Sequence, residues 1–273
     1  METPRRIKLS EIKEITHVAH AKARALTEMS DGKSRYEILN SGLDDYARIL
    51  FKTTDDLELW LRDASLMKRG EPIRVLDYGC GTNRFAGELV DRFGGIIPLE
   101  VVGVSVGDVV KQGETAKAYT EHRNRSDVTF IDQKSVMFIP PGKFDLIVSI
   151  TTVRHLPDPL RTMRTLYNSL EKGGELRMDA FRGSFYNWFG DDARGGVFGA
   201  EEAESFFSHL REQGIDISFD GYTGAMAIKK GDAKFAVKGL HYSPPAQWNT
   251  ERHPRGQYTF THAVEKKDVP EDK

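Results

Sequence analysis

The run VLDYGCGTNRF (75–85) joins a β-branched, apolar stretch to a helical one through Asp77, Gly79 and Gly81. Glycines at such a turn let backbone approach a ligand without Cβ clashes, and the helix that follows offers free N–H groups to a negatively charged ligand group. The chemistry that fits is the holding of a small ligand at the carboxyl ends of parallel strands. A dinucleotide loop needs a third glycine at position 84, where Arg84 stands, and an acid ending the next strand, where Ser105 stands. A phosphate-binding P-loop needs a Gly-Lys-Ser/Thr ending, which is absent. A tight strand-to-helix turn without a ligand uses the same two glycines.

The elements that must position this loop follow from hydrophobic period. Leu9, Ile12, Ile15, Ala19, Ala23, Leu26 and Met29 recur every three or four residues, and a second helical stretch runs from about Tyr36 to Met67. His17 and His20 lie three apart on the first helix, yet no carboxylate–histidine cluster accompanies them, so no metal site is expected. From Ile73 short apolar runs alternate with helical stretches, the pattern of a parallel sheet covered on both faces. Strands are expected at 73–78, 99–105, 128–131, 144–150, 175–180, near 215–219 and at 225–229. Helices are expected at Arg84–Phe93, Leu160–Leu170 and Ala200–Gln213, with Lys172, Gly173 and Gly174 closing the middle one. Near the C-terminus Tyr258, Phe260, His262 and Val264 share one face of a further strand. The expected fold is a doubly wound α/β sheet, mostly parallel and seven-stranded, in three parts: a helical cap (1–70), the sheet-bearing core (71–232) and a C-terminal extension with an edge strand and flexible tail (233–273).

Thirty-nine basic and forty-one acidic side chains leave a formal charge of −2, so no whole-molecule field draws the chain to nucleic acid or anionic lipid. No apolar run is long enough to cross a bilayer. Cys80 is the only cysteine, which excludes an internal disulfide, and the first residues lack an apolar signal stretch. A reducing, cytoplasmic compartment is expected.

Over residues 73–178 the chain resembles the class I, Rossmann-like S-adenosylmethionine-dependent methyltransferases. Four stretches in order carry the resemblance: LDYGCGTNRF, VVGVSVGD, FIDQKS and FDLIVSITTVRHLPDPLRTMRTLYNSLEKGGEL. The resemblance implies S-adenosylmethionine as cofactor. It implies that Asp77 organises the amino end of the cofactor's methionine part, and that Gly79, Cys80 and Gly81 line its backbone contact. Ser105 and Val106 would meet the ribose, Asp132 and Gln133 the adenine, and Ile150 and Thr151 the region of the sulfonium. Asn83 stands where the family has its third glycine, and Ser105 where it has a carboxylate for the ribose hydroxyls.

Methyl transfer from a sulfonium is an in-line displacement on an activated carbon, which positioning and exclusion of water accelerate. His155, just past the fourth strand, is the candidate general base for an acceptor that must lose a proton; capping or packing of its loop is the plainer alternative. Arg154, where related sequences have Glu, suits an anionic acceptor, or else a solvated surface. The segment 181–199 gathers Phe181, Phe185, Tyr186, Trp188, Phe189 and Phe198 among five glycines. Tyr186 and Trp188 are candidate acceptor contacts in a lid, against the alternative of a satellite hydrophobic cluster. The stretch 241–260 mixes aromatics with cations, a pattern of base stacking, but an edge hairpin explains it as well. The expected partner is a small-molecule methyl acceptor with oxygen, nitrogen or carboxylate at the reacting position, and a homodimer through the N-terminal helices stays open. Rival readings are a nucleic-acid or protein methyltransferase, a non-catalytic binding subunit that keeps the fold, and a nicotinamide-dependent oxidoreductase.

Overall fold

The computed structural model describes residues 41–106, 125–133, 139–150, 152–153, 159–179, 207–220, 225–235, 240–243 and 257–260. Helices α1 (Leu43–Leu50) and α2 (Thr54–Lys68) lead into β1 (Ile73–Tyr78), α3 (Arg84–Phe93), β2 (Leu99–Val106) and β3 (Thr129–Gln133). Then follow β4 (Phe144–Ser149), α4 (Pro159–Asn168) and β5 (Leu170–Asp179). Helical turns at 207–212 precede β6 (Asp216–Phe219) and β7 (Ala225–Lys229), while β8 (Leu240–Ser243) and β9 (Gln257–Phe260) form a separate antiparallel ribbon.

The main sheet has the order β3-β2-β1-β4-β5-β7-β6. Strands β1 to β5 pair in parallel, and β7 runs antiparallel to both β5 and β6. This is the doubly wound α/β architecture that the alternation of runs predicts. Strands β1 and β4 are buried at all six positions, as a sheet covered on both faces requires. Alternation divides β1 between two cores: Leu76 and Tyr78 join Val104, Ile147, Met163 and Met178, whereas Ile73 and Val75 join α1, α2 and α3 through Leu50, Leu57, Leu61, Phe85 and Leu89. Asp77, two residues beyond Val75, therefore faces α1 and α3. Chain order reverses between β1 and β4, which makes the carboxyl end of β1 the switch point of the sheet.

The expected helix from Tyr36 to Met67 is instead two helices across its described part. Phe51 ends α1, Lys52 takes a left-handed backbone (φ 78°), and the Thr53 hydroxyl accepts the Asp56 N–H at 3.1 Å to cap α2. The first expected helix (9–29) lies outside the described residues. A second correction concerns Lys172 to Gly174: α4 ends at Asn168, and these residues lie inside β5, which begins five positions earlier than its expected start at Glu175. Leu170 pairs with Phe144, the register then shifts, and Leu146 pairs with Glu175. Gly173 takes φ 85°, and a Cβ on Gly174 would press on the carbonyl oxygens of Asp145 and Phe144 at 2.8 and 3.0 Å. The glycine pair is thus a bulge against β4. Gly173 N–H and Lys230 N–H close it by bonding the carbonyls of Lys230 and Gly174.

The amino edge of the sheet is held by charge. Asp145 accepts the Arg74 backbone N–H at 2.9 Å and pairs with the Lys68 ammonium at the end of α2. The Arg74 side chain, 1% exposed, reaches Glu100 on β2 at 3.1 Å and lies over the Phe144 ring, 5.3 Å from its centre. Among the described residues no helix is long and apolar enough to cross a membrane.

Candidate active site

At the opposite, carboxyl edge, β1 opens into the glycine loop. Three left-handed conformations on alternate residues shape it: Gly79 (φ 85°), Gly81 (φ 54°) and Asn83 (φ 68°). Asn is the residue besides glycine that best tolerates this region, which is how the loop keeps its course without a third glycine. A Cβ on Gly79 would overlap the Thr152 side chain, so the loop and the segment after β4 close on one another only with glycine there. Thr152 Oγ1 contacts the Ile150 carbonyl at 3.0 Å and the Gly79 carbonyl at 3.4 Å. The N–H groups of Gly79 and Cys80 both donate to the Val104 carbonyl, at 2.8 and 3.0 Å. Those two donors are spent on β2, and the Asn83 N–H donates to the Cys80 carbonyl at 2.8 Å.

Asp77 is fully buried. Its Oδ1 accepts a 2.8 Å hydrogen bond from the Tyr46 hydroxyl of α1, while Oδ2 has no partner among the described residues. Burial pushes the Asp77 carboxyl up to about 7, against the Tyr46 hydrogen bond, which favours the ionised form. Beside it, the Asn83 side chain is also fully buried, with both amide atoms unpartnered among the described residues. It lies against Gly103, which pairs with Asp77 across β1 and β2; a Cβ on Gly103 would overlap the Asn83 amide oxygen. Buried polar atoms left without partners cost about 1–3 kcal/mol each, more when charged, so Asp77 Oδ2 and the Asn83 amide are groups that call for an explanation.

Tyr46 is held from behind by Phe85, whose ring stacks on it with centroids 4.1 Å apart and planes 13° from parallel. Helix α1 is itself fastened at both ends. Leu43 N–H donates to Glu88 on α3 at 2.7 Å, and Arg177 on β5 donates to the Leu50 carbonyl at 3.0 Å while lying 4.1 Å from the centre of the Phe51 ring.

The structure brings several residues expected at the site to one edge. Asp77, Gly79, Cys80 and Gly81 follow β1; Ser105 pairs with Asp132 and Val106 with Gln133 at the ends of β2 and β3; Ile150 follows β4. Ile150, however, is 6% exposed and packs in the apolar cluster with Leu50 and Phe85. Cys80 is buried and forms no disulfide. Thr151, Arg154, His155, Tyr186 and Trp188 lie outside the described residues. In the sequence Tyr46 is legible only as one apolar position on a helical stripe; its hydroxyl is the signal of a polar partner. Gly103 carries no signal beyond being a glycine inside a strand.

A family described as a methyltransferase domain matches residues 46–182. The chain belongs to this family. The methyltransferase match begins at Tyr46 and runs through β5, so it takes in α1 as well as the glycine loop. Arsenite methyltransferase of Rattus norvegicus is 29% identical over 119 residues, 39% of this chain and 30% of that protein. The 27-O-demethylrifamycin SV methyltransferase of Amycolatopsis mediterranei is 26% identical over 182 residues, 63% of this chain and 64% of that protein. The chain thus spans less than two thirds of the length of either relative. Among solved structures, CalS10, an amino pentose methyltransferase from Micromonospora echinaspora, is 15% identical with a TM-score of 0.45, covering 84% of this chain and all of that one.

Proposed function

We propose that the protein is an S-adenosylmethionine-dependent methyltransferase acting on a small-molecule oxygen, nitrogen or carboxylate acceptor. Membership of the methyltransferase-domain family supports the reaction class. The observation that carries the cofactor assignment is the buried, half-satisfied carboxylate of Asp77 at the switch point. An α-ammonium group is the partner that such an oxygen lacks, and charge-assisted hydrogen bonds of this kind are about twice as strong as neutral ones. Asn83 offers a donor and an acceptor beside it. Asp132 and Gln133 stand at the end of β3, one strand beyond Ser105, where a base extended from the same ligand would lie. The residues on this edge fit an amino-acid nucleoside.

When bound, the cofactor supplies a methyl group on positively charged sulfur. What the chain contributes is geometry: Asp77 orients the amino end, the glycine loop lets backbone come close, and Asp132 and Gln133 hold the base. Arg154 favours an anionic acceptor, Tyr186 and Trp188 are its candidate contacts, and His155 accepts a proton where the acceptor carries one.

S-adenosylhomocysteine at about a hundred times its Kd should stabilise the protein by about 2.7 kcal/mol, read as a rise in Tm, and NADH should not. Transfer of labelled methyl to a panel of small carboxylates, amines and alcohols then identifies the acceptor. A rise with NADH alone points to an oxidoreductase, and no rise with either ligand to a non-catalytic subunit.

A further inference from the structure

Tyr46 lies outside the strand–loop–helix unit that forms the glycine loop, yet its hydroxyl makes the one hydrogen bond to the Asp77 side chain found among the described residues. The residue sits on the buried stripe of α1, with Leu43, Ala47 and Leu50, so its ring position is fixed by packing and its hydroxyl by the stack on Phe85. We propose that Tyr46 is a positioning residue: its hydroxyl holds Asp77 in one orientation and favours the ionised form over the acid, so that affinity for the ligand's cationic end depends on the docking of α1 and on pH. This rests on the assignment of Asp77 to an ammonium group.

The surroundings favour that role. Gly103 presents no side chain to Asp77 from β2, and Asn83 from the loop is uncharged. Arg84 on α3 is engaged with Glu88 at 2.6 Å. Cys80 in the loop and Asp179 on β5 act on Tyr46 in the same sense as Asp77, and with burial they hold its hydroxyl well above the usual tyrosine range. Tyr46 therefore stays a donor throughout the neutral range. Asp77 is poised near neutrality by two opposed effects, burial favouring the acid and the Tyr46 hydrogen bond favouring the anion. Removing the hydroxyl leaves burial unopposed.

The test is the Tyr46→Phe variant, which keeps the ring stacked on Phe85. In ligand-free protein, the Asp77 carboxyl followed by carbon-13 NMR should titrate near pH 7 in the wild type and about one pH unit higher in the variant. Calorimetry with S-adenosylhomocysteine should show the variant binding about fivefold more weakly at pH 7, with the gap closing by about pH 9. Should Tyr46→Phe fail to fold, Phe85→Leu, which loosens the hydroxyl's support, should move both readouts the same way by less. Wild type that binds normally while the variants keep its titration and pH profile overturns the inference alone. Wild type that binds at no pH overturns the functional reading beneath it.

Discussion

Asp77→Asn should fold, gain stability at about pH 8 and lose its ligand. In the wild type, burial raises the Asp77 carboxyl from its ordinary 3.8 to about 7, so the folded state holds this proton more tightly than the unfolded chain does. The sign follows. The contribution of this group to stability is fully present below about pH 4 and is lost as pH rises through about 7, because ionising the buried group then opposes folding. That difference corresponds to about 4 kcal/mol. An amide of the same shape keeps the Tyr46 hydrogen bond and carries no charge, so the variant should be level with the wild type near pH 4 and more stable by up to about 4 kcal/mol at about pH 8. Urea unfolding at the two pH values reads this directly; parallel pH dependences in the two proteins contradict it. Affinity for S-adenosylhomocysteine should fall about a hundredfold or more, since removing one partner of a buried charge pair costs about 2–5 kcal/mol. A site that gives up stability for a charge is a common signature of function.

The second large effect lies at the other edge. Asp145 is 5% exposed and joins α2, β1 and β4 through Lys68 and the Arg74 backbone N–H. Asp145→Ala leaves the Lys68 ammonium, itself three-quarters buried, without this carboxylate and the Arg74 N–H without its acceptor. Breaking a buried pair from one side costs about 3–5 kcal/mol. The expected result is a large drop in denaturation midpoint with unchanged affinity for S-adenosylhomocysteine, because the whole length of β1 and β4 separates Asp145 from the glycine loop. A loss below about 1 kcal/mol, or a weakened ligand, would show that the edge is not held in this way.

These two edges differ in how far the sequence discloses them. Strand β1 and helix α3 have the bounds that the run IRVLDY and the stripe after Asn83 predict, because both are set by local periodicity and by glycines that permit one sharp turn. The break between α1 and α2 is hidden because Phe51 continues the apolar stripe into the gap; the Thr53 cap with Asp55 and Asp56 behind it is the readable sign. The glycine pair at 173–174 imitates a helix stop, and only pairing with β4 turns it into a bulge. The contact of Tyr46 with Asp77 joins residues 31 apart in sequence, and the Asn83 contact with Gly103 crosses from loop to strand. No periodic pattern encodes such meetings; they exist only once the helix docks and the strands align.

The most direct measurement is a crystal structure with S-adenosylhomocysteine. The ligand's amino group should lie within hydrogen-bond distance of Asp77 Oδ2 and its adenine beside the end of β3. Nucleoside density at any other place, or a groove at the switch point filled by the protein's own side chains, would contradict it.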